Sequence, residues 1–251
     1  MSYRPVSPAL YCLSLLLCSL FVPPLSAAPQ LGPFEADYEI NRSGLTLIQM
    51  HRLLKANGNG EYRFESDSRT TGALSWFIKD RIHESTLWRR QDDTLRPLVY
   101  RYEQYGGSHE KHIELVFDWT ANTVTDKGQK PTWRENIPPQ TTDKLLYQLQ
   151  LMLDLQAGRD TLAYTIADSG KLRHYRYQRV GQETLRLALG SYETVKLHRN
   201  SGRRSTTIWC APALNYLPIR IEHTEKDGSR MQANVTRVKG LPLDPGGETA
   251  E

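Results

Sequence analysis

Phe34-Glu35-Ala36-Asp37-Tyr38-Glu39-Ile40 decides how this chain is read. Phe34, Ala36, Tyr38 and Ile40 fall on one side of an extended backbone, and Glu35, Asp37 and Glu39 on the other. Strict alternation of this kind is the period of a strand with one buried and one wet face. Ile113, Leu115, Phe117 and Trp119 repeat the pattern against Glu114 and Asp118. Val195 and Leu197 oppose Lys196 and His198, and Ile219 and Ile221 oppose Arg220 and Glu222.

Working outward, further strands are expected at 46–54, 61–66, 81–88, 98–104, 161–166, 173–180, 183–189, 206–210 and 231–238. Turn signals separate them at hairpin spacing. Asn57-Gly58-Asn59-Gly60 supplies residues that tolerate the positive φ of primed hairpin turns. Asp92-Asp93, Gly106-Gly107, Asp126-Lys127-Gly128, Gly181, Gly190 and Asp227-Gly228 serve similarly. With no helices between them, the strands predict an antiparallel meander rather than a parallel sheet. So many strands must curl, split into layers or close to hide their apolar faces. The fold class is therefore mainly β, a curved antiparallel sheet forming an incomplete or spiral barrel.

One segment breaks the rhythm. Pro138-Pro139 stops a strand, and residues 142–156 then place Leu145, Leu146, Leu149, Met152 and Leu153 at helical spacing. Thr141 or Thr142 suits the N-cap, Asp143 the positive end of the dipole, and Gly158 the exit. Leu151 and Leu155 widen the apolar stripe, so the helix needs cover around most of its circumference. It reads as a core helix on the concave face of the sheet or as a plug over an apolar cavity.

The beginning of the chain carries an address. Residues 1–8 hold one cation, Arg4, and no acid; residues 9–22 are apolar but for Ser14 and Ser19; Pro23-Pro24-Leu25-Ser26-Ala27-Ala28 closes the run. This is the layout of a secretory signal peptide, and about fourteen residues of helix, roughly 21 Å, fall short of a ~30 Å bilayer core. Cleavage is expected after Ala27, with Ala28 as the neighbouring choice and a retained N-terminal anchor as the alternative. Cys12 follows Leu10-Tyr11 and Cys18 follows Leu15-Leu16-Leu17, so neither has the small residues of a lipoprotein signal. The organisation expected is a signal peptide over 1–27, a single β-rich domain over 28–242 and a disordered acidic tail over 243–251. The location expected is periplasmic.

Composition narrows the function. The net charge of +4 is spread among interspersed acids and bases, which argues against a nucleic-acid partner. After residues 1–27, no apolar run is long enough to span a bilayer. Cys12 and Cys18 leave with the signal, and Cys210 beside Trp209 reads as a small buried hydrophobe. His109 and His112 lie three apart, on opposite faces of a strand, and the other histidines scatter over separate strands, so no metal site is expected. No G-x-S-x-G elbow, H-E-x-x-H helix, phosphate loop or dinucleotide fingerprint is present. No catalytic residue, cofactor or metal ligand is nominated.

Two features hint at binding. Arg173-His174-Tyr175-Arg176-Tyr177-Gln178-Arg179 interleaves cations with aromatics, a mixture that binds anions and planar groups but also serves as an ordinary solvated strand. Tyrosines recur in the strands and supply apolar surface with a polar tip. The candidate ligand-facing residues are Leu145, Leu149, Met152, Tyr100, Tyr175 and Tyr177, for an apolar or amphipathic envelope ligand held in the curved sheet. The alternative is a structural or protein-interaction module without a small ligand.

Several tokens resemble a bacterial exported family, domain of unknown function 3108. They are Phe34-Glu35-Ala36-Asp37-Tyr38, Gly60-Glu61-Tyr62, Leu95-Arg96-Pro97 before a strand bearing Tyr100, Gly190-Ser191-Tyr192-Glu193-Thr194, Thr207-Ile208-Trp209-Cys210-Ala211, and Leu217-Pro218-Ile219-Arg220-Ile221. The resemblance spans about residues 33–240. It implies an exported, curved antiparallel sheet and transfers no catalytic residue. Curled sheets of similar kind in envelope proteins hold lipids or acyl chains, which is fold-level analogy.

Overall fold

Among the described residues, fifteen strands join in one sheet, and the alternating segments supply most of them. The structure is a computed structural model, and it describes residues 30–72, 80–106, 110–128 and 130–241. The segments read as signal peptide and as disordered tail lie outside the described residues.

From the N-terminus come β1 (Phe34–Arg42), β2 (Leu45–Gly58), β3 (Glu61–Thr70), β4 (Arg81–Gln91), β5 (Thr94–Tyr105), β6 (Lys111–Asp118), β7 (Thr123–Asp126), β8 (Trp133–Asn136) and β9 (Thr141–Asp143). Helix α1 (Tyr147–Gln156) follows. The chain continues through β10 (Leu162–Asp168), β11 (Lys171–Leu187), β12 (Gly190–Ser201), β13 (Arg204–Ala211), β14 (Leu217–Thr224) and β15 (Arg230–Lys239).

The spatial order is β8-β7-β6-β5-β4-β3-β2-β1-β15-β14-β13-β12-β11-β10-β9. Each strand therefore lies beside its neighbour in sequence, apart from the pairing of β1 with β15, which joins the two halves at the centre. Their ladder runs from Glu35 opposite Lys239 to Asn41 opposite Gln232. Gly240 sits beyond its end at φ +80°, where a Cβ would come 2.6 Å from the Pro33 carbonyl oxygen. Only glycine fits that approach. β8 and β9 form the two free edges, so the sheet curls without closing into a barrel.

Turn chemistry acts where expected. Gly58, Asn59 and Gly60 take φ of 85°, 53° and 74° between β2 and β3. Other expectations are revised. Gly181 is not a turn: β11 is one strand of 17 residues, and residues 173–180 and 183–187 belong to it together. Its first part pairs with β10 and its second with β12, with a register shift between Arg179 and Gly181. A glycine inside a long strand marks a bulge here, as P-free strands allow without ending. Trp119 falls just past β6, and the short β7, β8 and β9 were too brief to show a period.

The helix also starts later than its pattern suggests. Thr142 and Asp143 belong to β9, which pairs in parallel with β10, Asp143 standing opposite Ala167. One parallel pair thus enters an otherwise antiparallel sheet. Asp143 Oδ1 accepts hydrogen bonds from the backbone N–H of Leu145 at 2.9 Å and Leu146 at 2.8 Å. It caps the turn that feeds α1, and neither threonine does so. Gly158 at φ 67° ends the helix as read.

α1 lies on the concave side with eight of its ten residues buried. Leu149, Met152 and Leu153 join Leu145 and Leu146 in a core with Phe34, Tyr38, Phe64, Trp88 and Tyr100. Tyr147, Leu151 and Leu155 join Leu162, Tyr164, Ile166, Leu197 and Ile208 in a second cluster. Two clusters thus cover α1, the larger drawing on strands from both halves of the sheet and the smaller on β10–β13. Each fully buried leucine or methionine contributes roughly 1.5–3 kcal/mol relative to exposure.

Candidate functional site

The concave interior holds most of the residues nominated to face a ligand. Leu145, Leu149, Met152 and Tyr100 are each 1 % exposed and share the main core. Tyr177 is buried in the second cluster, with half-buried Tyr175 packed against it. The structure brings the first four together on one side of α1 and the two β11 tyrosines together on the other. What they touch is one another and the sheet.

Polar bonds key the helix into this interior. Arg52, buried at 7 % exposure, donates from Nη1 to Gln148 Oε1 at 2.8 Å and stacks 5.1 Å from the Tyr38 ring centroid. The Leu95 N–H donates to Gln150 Oε1 at 2.9 Å, and Tyr164 Oη donates to Asp154 Oδ2 at 2.9 Å. Gln156 accepts from the Gln30 N–H and donates to the Asn215 carbonyl. Groups of this kind are costly to bury without partners, so they fix one seating of the helix.

At the entrance to α1, Asp143 is fully buried and also accepts from Thr86 Oγ1 at 3.0 Å. Burial raises its carboxyl to about 7, against the opposing effect of hydrogen bonds from Leu146, Leu145 and Thr86, with Glu84 nearby adding to the rise. Tyr100 Oη donates to Glu84 Oε1 at 2.6 Å, so the strip from β4 to β9 is polar beneath the apolar core. Cys210 is fully buried and its thiol is raised by desolvation, as an inert core residue's would be.

The cation–tyrosine strand resolves into local packing. The Arg199 guanidinium lies 3.9 Å from the Tyr175 ring centroid, Arg173 binds Asp168, and Tyr147 meets Tyr177 at 3.3 Å between hydroxyls. Tyr147 also meets Tyr175 edge-on at 5.4 Å.

The outer face of β1–β5 carries a feature that periodicity alone did not reveal. A groove of about 680 Å³ crosses it, lined by side chains that alternate with the buried row of Tyr38 and Met50. One wall is a row of direct cross-strand partners, Asp37, His51, Asp67 and His83, continued beyond the groove by Arg237 at one end and by Glu103 and His112 at the other. Acids and bases alternate along it. His51 Nδ1 meets Asp37 Oδ1 at 2.6 Å, His83 Nδ1 meets Asp67 Oδ1 at 2.7 Å, and His112 lies 3.7 Å from Glu103. Partial burial raises the Asp37 carboxyl, but hydrogen bonds from Arg237 and His51 outweigh it and hold the group below its ordinary value. The other wall is Glu39, Gln49, Arg69, Arg81 and Tyr105. Alternation put these residues on the outer face; only pairing register makes them neighbours.

Among the described residues, no group of three or more His, Cys, Asp or Glu is arranged to hold a metal ion. His109 lies outside the described residues. No helix among the described residues is long and apolar enough to cross a membrane.

Residues 34–235 match the family model for proteins of unknown function DUF3108, and the chain belongs to that family. No curated protein matches it. Among solved structures, it is similar to a β-barrel-like protein of the domain of unknown function DUF1849 from Brucella abortus. That match has a TM-score of 0.52 at 12 % identity and covers 82 % of this chain and 97 % of the other. A candidate lipoprotein from Parabacteroides distasonis matches with a TM-score of 0.34 at 11 % identity, over 84 % of this chain and 97 % of its own. A candidate exported protein with a YmcC-like fold from Bacteroides fragilis matches with a TM-score of 0.34 at 9 % identity, over the same shares. The first likeness supports a barrel-like fold.

Proposed function

We propose that this DUF3108 protein is a structural or protein-interaction module of the cell envelope, delivered to the periplasm by residues 1–27 and working through its surfaces rather than as a carrier. The single observation behind this reading is α1. Its opposite sides are covered by two core clusters and its polar residues bond to the sheet at several levels. A small-molecule carrier needs an open apolar cavity of several hundred Å³. Here that place is taken by the chain's own leucines.

Native mass spectrometry and lipid extraction of protein purified from its own host test the reading. The expected species begins near Ala28 and carries no lipid. A stoichiometric lipid would overturn the module reading, and an abundant species starting at Met1 or Ser2 would overturn export with cleavage.

A second reading keeps an apolar or amphipathic ligand against Leu145, Leu149, Met152, Tyr100, Tyr175 and Tyr177. The observation favouring it is the open seam between edge strands β8 and β9, which the chain crosses just before α1. That ligand would enter only if α1 moved, so binding should be slow and should loosen the helix. Hydrogen exchange of α1 with and without a soluble fatty acid would separate the two readings.

A further inference from the structure

Arg69 and Arg81 confront each other across β3 and β4 on the outer face as direct cross-strand partners. Both are exposed. Like charges directly opposite one another destabilise a sheet unless something neutralises them. Among the described residues neither guanidinium forms an ion pair, and Arg69 Nη2 donates to the neutral Gln49 Oε1 at 3.1 Å.

Nearby carboxylates are spent elsewhere or held off. Asp37 accepts from Arg237 and pairs with His51, and Asp67 pairs with His83. Glu39 shares the row of the arginines, but Gln49 stands between it and Arg69. Among the described residues the two arginines therefore have no carboxylate partner. They line the groove of about 680 Å³, and Tyr105, the direct partner of Arg81, closes the row at 48 % exposure.

We propose that this groove is a binding site for a phosphate group, gripped by Arg69 and Arg81. Planar guanidinium forks match phosphate oxygens two by two. Neighbouring strands lie about 4.8 Å apart, so both forks reach one anion. His51 and His83 supply ring nitrogens to the facing wall, and the Tyr105 ring offers a hydroxyl and an apolar edge. The groove is larger than a phosphate ion, so the same chemistry can come as free phosphate or as the headgroup of an anionic phospholipid. This site goes beyond the module reading and does not depend on whether the interior binds anything.

The test uses the exported protein, inorganic phosphate followed by calorimetry, and flotation with vesicles of phosphatidylglycerol in phosphatidylcholine or phosphatidylcholine alone. R69Q/R81Q removes both forks, R69K/R81K keeps the charge but not the fork, and R176Q/R186Q removes the same charge from exposed positions on β11. Charge-assisted bonds of this kind correspond to affinity losses of about tenfold to hundredfold each. Wild type and R176Q/R186Q should bind, R69K/R81K should bind weakly and R69Q/R81Q least. Binding of free phosphate identifies a small-anion site; binding only to phosphatidylglycerol vesicles identifies a headgroup site. No binding of either probe, or equal loss in R176Q/R186Q, overturns the proposal. R176Q/R186Q and R69K/R81K should melt like wild type, and R69Q/R81Q at or slightly above it, because the repulsion between the facing guanidinium groups is gone.

Discussion

Asp143 concentrates the chemistry of the α1 entrance in one carboxyl group. Its folded pKa of about 7 lies above the unfolded value, because burial outweighs the hydrogen bonds it accepts. The neutral form is the one the fold prefers. Its contribution is complete below the unfolded pKa of about 4 and is lost as pH rises through about 7. Asp143→Asn keeps an acceptor for the Leu145 and Leu146 N–H groups and removes the ionisation. The expected outcome is a wild-type denaturant midpoint that falls between about pH 4 and about pH 7 and levels off above, and a flatter profile in the variant. Equal slopes in both proteins would show that Asp143 does not control this dependence. Asp37 acts in the opposite direction: its lowered carboxyl favours the fold above the unfolded pKa, and this is lost as acid protonates it.

At the scale of the element, α1 is where a packed core and a removable plug differ. Leu149 and Leu151 point to opposite sides of the helix and enter separate core clusters. If both sides are packed, Leu149→Ala and Leu151→Ala should each cost about 2–5 kcal/mol. A helix with one side on a cavity would lose much for one substitution and little for the other. Urea denaturation of the two variants decides between these outcomes. Binding of an apolar dye, measured alongside, should be negligible in wild type if the interior is filled. Gln148 adds a polar counterpart, because Gln148→Ala leaves the buried Arg52 guanidinium without its bond to the helix.

The whole molecule is held at its middle by the two strands that are farthest apart in sequence. β15 pairs with both β1 and β14, so it connects the eight-strand half to the rest of the sheet. Removing residues 230–241 would expose two unpaired edges and uncover Val235 and Val238 of the core. The truncated chain should fail to show a single cooperative transition by circular dichroism and should aggregate. A cooperative, soluble product would mean that the halves fold independently. Such long-range closure also predicts slow folding, since the ends must meet before the centre of the sheet can form.

Alternation along each segment determined that the protein is β-rich, which side of each strand faces the core, and that one leucine-rich helix needs cover nearly all round. These are local consequences of period two against period 3.6, and Phe34–Ile40 and Leu145–Leu155 carry them without help from the rest of the chain. Turn residues such as Gly58-Asn59-Gly60 were equally legible, because positive φ is a property of the residue itself. What only the tertiary structure decided was register and partnership. Gly181 permits a turn or a bulge, and pairing of β11 with two neighbours made it a bulge. The three residues of β9 are too short to show a period, and β10 drew them into a parallel pair. The face-to-face placing of Arg69 and Arg81, and the acid–histidine row from Asp37 to His83, depend on hydrogen-bonded alignment between strands up to dozens of residues apart. A shift of one residue would turn those side chains to the opposite face, so no single segment contains the information that sets them side by side.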